Sequence, residues 1–231
     1  MNNVQKIGGA AALIEAATFV IGMGLMFTVL APYGLGELDP AQTVAFLAEN
    51  QAIMYVWNQI IYVVFGIALV VLSLALHARV QAGAPALMQT ATAFGLIWAG
   101  LVIASGMVFN LGVGAVVALY GTDPALAGST WLAISAVQDG LGGGNEIVGG
   151  VWVLLLSWAA LRAGELPKAL NYLGLALGVA GLLTVVPALE VLTAVFGLGL
   201  IVWFAWVGVA MIRRSSSAAS VSASLSPSGV A

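Results

Sequence analysis

Apolar runs of about twenty residues follow one another along most of this chain, and nearly every charge falls between them. A bilayer core of about 30 Å takes roughly 20 residues of helix, so each run is long enough to cross one. Six such spans are expected, over about 7–30, 54–76, 87–111, 144–161, 167–186 and 188–212. Glu15 and the length of the first run argue against a cleaved secretory signal.

Charged residues make up 6% of the chain, against about 25% in soluble domains, and mean hydropathy is +1.11. A surface so poor in charge belongs in lipid. Six basic residues and a net charge of -3 provide no field for nucleic acid. With no Cys and one His, a disulfide, a thiolate metal site and a bis-histidine haem are excluded. No cofactor or metal is expected.

The basic residues also give a direction. Lys6 precedes span one, Arg79 follows span two, Arg162 and Lys168 lie between spans four and five, and Arg213 and Arg214 follow span six. Because Lys and Arg collect on the cytoplasmic side, both termini are expected there. The opposite loops carry Glu37, Asp39, Glu49 and Asp123. Residues 1–214 are therefore read as an all-α, six-span transmembrane bundle, and residues 215–231, rich in Ser, as a disordered cytoplasmic tail.

Two Asp-Pro pairs on the outer side, Asp39-Pro40 and Asp123-Pro124, carry the N-cap and first-turn signals of a helix. The first predicts a short interfacial helix through Leu47. The second predicts an outward extension of span four, broken by glycine near Gly140, with a re-entrant segment as the alternative. Gly174 and Gly178, and the stripe Gly8, Ala12 and Ala16, offer close helix contact. Trp57, Tyr55, Tyr120 and Trp131 are read as an outer aromatic belt, and Trp158, Tyr172 and Trp206 as an inner one. Spans one to three and four to six run in opposite senses, the layout of an inverted repeat, with little beyond Glu15 and Glu146 matching between them.

Polar groups at membrane depth are the functional candidates, since an ionised residue there costs about 2.5–3.5 kcal/mol. The run Gly140-Leu141-Gly142-Gly143-Gly144-Asn145-Glu146 disfavours regular helix and exposes backbone groups. One reading is a glycine break followed by a capped helix. The other is an outward-facing polar cavity, in which Glu146 leads, Asp139 and Glu190 assist, and Asn58, Gln59, Asn110 and Asn145 donate and accept hydrogen bonds. No base lies near these acids in the predicted topology, so they would hold protons or attract a cation. Glu15, in the inner half of span one, ranks second. Catalytic residues are not assigned: HExxH, GxSxG and P-loop patterns are absent, and His77 falls at the far boundary from Ser105.

The segment Gly149-Gly150-Val151-Trp152 through Ser157-Trp158-Ala159-Ala160-Leu161-Arg162-Ala163-Gly164-Glu165-Leu166-Pro167-Lys168, continuing into Asn171-Tyr172-Leu173-Gly174, resembles a group of bacterial six-span membrane proteins catalogued as a domain of unknown function. The resemblance implies a multi-pass protein of the bacterial plasma (inner) membrane and brings no activity or catalytic residues with it. Two roles remain open: a transporter or binder of a small molecule, ion or proton, and a non-catalytic structural subunit docking another membrane protein or its own copy.

Overall fold

In the computed structural model, residues 2–36, 38–142, 146–189 and 191–224 are described. Glu37, Gly143, Gly144, Asn145 and Glu190 lie outside them, as do residues 225–231. The regular structure among the described residues is entirely helical. The first helix, α1 (Asn2–Met26), leads through a single turn, α2 (Ala31–Gly34), to α3 (Pro40–Glu49). Asp39 caps α3 through a reciprocal pair of bonds with Gln42: the Gln42 N–H donates to Asp39 Oδ1 at 2.8 Å, and the Asp39 N–H donates to Gln42 Oε1 at 3.0 Å.

A continuous rod follows, made of α4 (Gln51–Asn58), a π-helical turn (Gln59–Val64) and α5 (Phe65–Val80). Next come α6 (Pro85–Tyr120) and α7 (Pro124–Gly142), and Asp123 Oδ1 accepts from the Leu126 N–H at the start of α7. After residues 143–145 come α8 (Ile147–Ala163), α9 (Lys168–Leu183) and α10 (Val191–Ser224), with a 3-10 turn at Pro187–Leu189 before α10. The backbone helix of α10 thus carries on from the apolar run into the Ser-rich segment.

Among the described residues five pieces, rather than the six that hydropathy predicts, are long and apolar enough to cross a membrane: α1, the α4–α5 rod, α6, the stretch Pro124–Ala163 that takes in α7 and α8, and the apolar part of α10. The expected fifth span, α9, has 16 residues, roughly 24 Å at 1.5 Å per residue. It is shorter than its apolar run because Pro167 is an extended N-cap and the chain turns at Thr184 before Pro187. In contrast, α6 has 36 residues, roughly 54 Å, and overshoots a single crossing.

Extensive contacts run in chain order, α1 on α5, α5 on α6, α6 on α8, α8 on α9 and α9 on α10, and α10 returns to α1. This closes a ring of antiparallel neighbours. Its centre is filled by rings, with Trp152 at 5.7 Å from both Trp98 and Trp203. Between α8 and α9 the backbones nearly touch: an added Cβ at Gly150 would sit 2.9 Å from the Gly178 carbonyl oxygen, the close approach that holds helices together when lipid competes for apolar contact. One contact recurs around the ring. A Cβ at Gly95 would collide with Ser73 Oγ and Trp152 Nε1, and one at Gly174 with Ser157 Oγ and Trp203 Nε1. The recurrence relates rods two places apart and of the same sense.

At the other end of α6, α7 folds back along it and α3 packs on both. This second layer has its own core, which includes Leu47, Trp57, Phe109, Val113 and Trp131. The predicted outer belt is therefore corrected: Trp57 and Trp131 are only 5% and 4% exposed, because both rings pack edge-on against Phe109 of α6. The inner aromatics Trp158, Tyr172 and Trp206 are exposed. Outward-facing apolar side chains such as Ile67 and Leu111 also remain uncovered, a surface suited to acyl chains. Beside the chain's basic ends, Arg79 Nε donates to Glu165 Oε2 at 2.9 Å.

Candidate functional site

The cavity of interest lies where the ring meets the outer layer. Its volume is about 230 Å³. From α1 it is bounded by Thr18, Phe19, Gly22 and two methionines, and from the second rod by Trp57, Ile61, Tyr62 and Phe65. Trp98 and Val102 of α6 form a third side, and Gly142 and Glu146, flanking residues 143–145, form the fourth.

Each wall has a local cause. The π-helical turn admits an extra residue per turn, a distortion frequent at functional sites, and it carries Ile61 and Tyr62 to the cavity. Against it, Gly22 leaves its carbonyl open to Trp57, whose Nε1–H donates to it at 3.2 Å. The end of α7 is held from two sides: Gln138 Nε2 donates to Tyr62 Oη at 2.7 Å, and Ser105 Oγ donates to the Gln138 carbonyl at 2.9 Å. Terminal carbonyls of a helix need such partners when buried.

The start of α8 is held differently. Glu146 occupies the N-cap position, yet its side chain makes no capping bond. Its backbone N–H donates instead to Thr184 Oγ1 at 3.0 Å, which ties the start of α8 to the end of α9. The carboxylate is thus left to the cavity, at a helix N-terminus whose dipole favours negative charge. Among the described residues no Lys, Arg or His lines the cavity. Lys6, Arg79 and Arg162 stand roughly 25 Å along their own helices from Gly22, Tyr62 and Glu146. At that separation a unit charge contributes about 0.7 kcal/mol even at an effective dielectric of ~20.

The other candidates fall in different places. Asn58 is fully buried and donates through Nδ2 to the Gly106 carbonyl and to Asn110 Oδ1, both at 2.9 Å. This pair fastens the second rod to α6 close to the cavity without lining it. Gln59, the next residue, is exposed, as the turn of the helix requires. Asp139 is likewise exposed, beside the buried Gln138. Asn145 and Glu190 lie outside the described residues. Glu15 is fully buried, and neither carboxylate oxygen has a hydrogen-bond partner; it precedes Thr18 and Phe19 by one turn on the cavity face of α1.

Several contributors were not among the sequence candidates. Thr18, Tyr62 and Thr184 are isolated polar residues in apolar runs, and only their partners mark them. His77 is placed away from Ser105: Thr92 Oγ1 donates to the Met88 carbonyl at 2.7 Å and lies 2.8 Å from His77 Nδ1, so the imidazole N–H is the donor to it.

What the site offers chemically is a small, mainly apolar chamber with one carboxylate and a few hydroxyl groups. No family model matches this chain, and neither curated proteins nor solved structures show a detectable match to it.

Proposed function

We propose that this chain is a multi-pass protein of the bacterial plasma membrane, with both termini in the cytoplasm, that binds a small molecule or ion in the cavity beside Glu146 and passes it across the bilayer. The single observation that carries this reading is that the Glu146 carboxylate borders a cavity of about 230 Å³ while capping no helix. A carboxylate at membrane depth costs several kcal/mol to keep unless a ligand, proton or partner meets it. The ring of antiparallel rods, with α9 reaching only part of the way, accounts for the six apolar runs. The clustering of all six basic residues at one set of helix ends supports the orientation, and the likeness of the segment around Leu166-Pro167-Lys168 to bacterial six-span proteins supports the location.

The test is proton or ion flux in reconstituted vesicles for the wild type and Glu146→Gln. Wild-type flux above that of empty vesicles, reduced at least tenfold in the variant, is expected. Identical background flux for both would remove transport. If the chain were also purified as a stable heteromer unaffected by Glu146→Gln, the reading as a structural subunit would take its place.

A further inference from the structure

We propose that the cavity takes a small organic cation, an ammonium group carrying short alkyl substituents, with Glu146 as its counter-charge and aromatic rings as its walls. This rests on the reading of the cavity as a binding site and names the class of ligand that fits it.

Three observations converge. The first is charge: among the described residues Glu146 brings the one carboxylate on the cavity wall, with no Lys, Arg or His beside it, and Lys6, Arg79 and Arg162 stand at the far ends of the bordering helices. A bound anion would meet a carboxylate with nothing to offset it. A neutral apolar ligand would leave that carboxylate desolvated and unpaired, which is costly. A cation resolves both.

The second is the wall itself. Five of the bordering residues are aromatic: Phe19, Trp57, Tyr62, Phe65 and Trp98. Phe65 stands edge-to-face with both Phe19 and Trp98, at 5.4 Å between centroids in each case, and Trp57 stands edge-to-face with Tyr62 at 6.4 Å. Ring quadrupoles attract a desolvated cation, and quaternary ammonium groups are recognised by such clusters.

The third is size. The volume of about 230 Å³ lies below the range of roughly 300–1,000 Å³ typical of drug-sized ligands. A tetraalkylammonium head with a short arm fits that limit. Met23 and Met26, also on the wall, supply flexible apolar surface that adapts to alkyl groups.

The experiment is calorimetric titration of the full chain in lipid nanodiscs with choline and with 3,3-dimethylbutan-1-ol, its uncharged isostere. Choline is expected to bind at least tenfold more tightly than the isostere. Glu146→Gln is expected to weaken choline at least tenfold while leaving the isostere unchanged, and Trp98→Leu to weaken choline more than the isostere. Thermal unfolding of each variant confirms that it is folded. Binding of the isostere as tight as that of choline, or choline binding unaltered by Glu146→Gln, would overturn the cation assignment while keeping the cavity as a binding site. Binding of neither probe would overturn the assignment and count against the binding reading too.

Discussion

Gln138 and Tyr62 meet at 2.7 Å, the side-chain amide donating to the phenol oxygen. Through that one bond the end of α7 is fastened to the π-helical turn of the second rod, and two sides of the cavity 76 residues apart in sequence are held in register. Polar links of this type are individually modest in a membrane, about 0.6–2 kcal/mol.

Tyr62→Phe and Gln138→Leu are accordingly each expected to destabilise the folded chain by about 1 kcal/mol. The double variant should lose less than the sum, with a coupling of about 0.6–1.5 kcal/mol. Chemical unfolding in mixed micelles measures all four corners of the cycle. Strict additivity would show that this bond contributes nothing.

Asn58 and Gln59 are neighbours in sequence and opposites in the fold. Asn58→Leu removes two donated bonds and is expected to cost about 1–2 kcal/mol. Gln59→Leu, at an exposed site, should stay within about 0.5 kcal/mol of wild type. The same unfolding assay decides, and equal effects would contradict the placement of Asn58 against α6.

Gly150 has no room for a side chain, being pressed against the Gly178 carbonyl and the Leu182 N–H. Gly150→Val should force α8 and α9 apart at a cost of about 2–4 kcal/mol. Gly100, in the interior of α6, has nothing within 4 Å of an added Cβ, and Gly100→Ala should be neutral or stabilising by up to about 1 kcal/mol. A drop in melting temperature for the second and not the first would mean that the ring closes elsewhere.

The chain contains no Cys, so single cysteines report topology without background. Thr122→Cys, in the turn between α6 and α7, is expected to react with a membrane-impermeant maleimide in intact cells. Gln81→Cys, in the turn between α5 and α6, should react only after the membrane is opened. The reverse pattern would invert the assigned orientation.

Much of the local structure was legible because it depends on near neighbours. Asp39 with Gln42, and Asp123 with Leu126, are caps made within one turn, whereas α7 runs as helix through Gly140 to Gly142, past the point where glycine was expected to end it. The lengths of α6 and α9 were less so: helix continues from the run expected to end at Leu111 on to Tyr120, and hydropathy continues past Leu183 while the backbone turns at Thr184.

The candidate site was less accessible to such reasoning. In a soluble helix, polar and apolar faces reveal which side is buried. Here the rods are apolar all round, so nothing local distinguishes Trp57, which is buried, from Trp158, which is not. Nor could spacing show that the Glu146 N–H would donate to Thr184, 38 residues away.

By itself, the sequence determined that long apolar rods follow one another with their basic residues gathered at one set of ends, because the free energies of transferring charge and hydrocarbon depend on composition more than on partners. The tertiary structure alone decided that the rods close into a ring, that a second layer covers the end away from the basic residues, and that a carboxylate faces an aromatic-walled space between them. Those outcomes depend on which distant backbones can approach within a few ångströms, a property of packed surfaces that no stretch of chain carries alone.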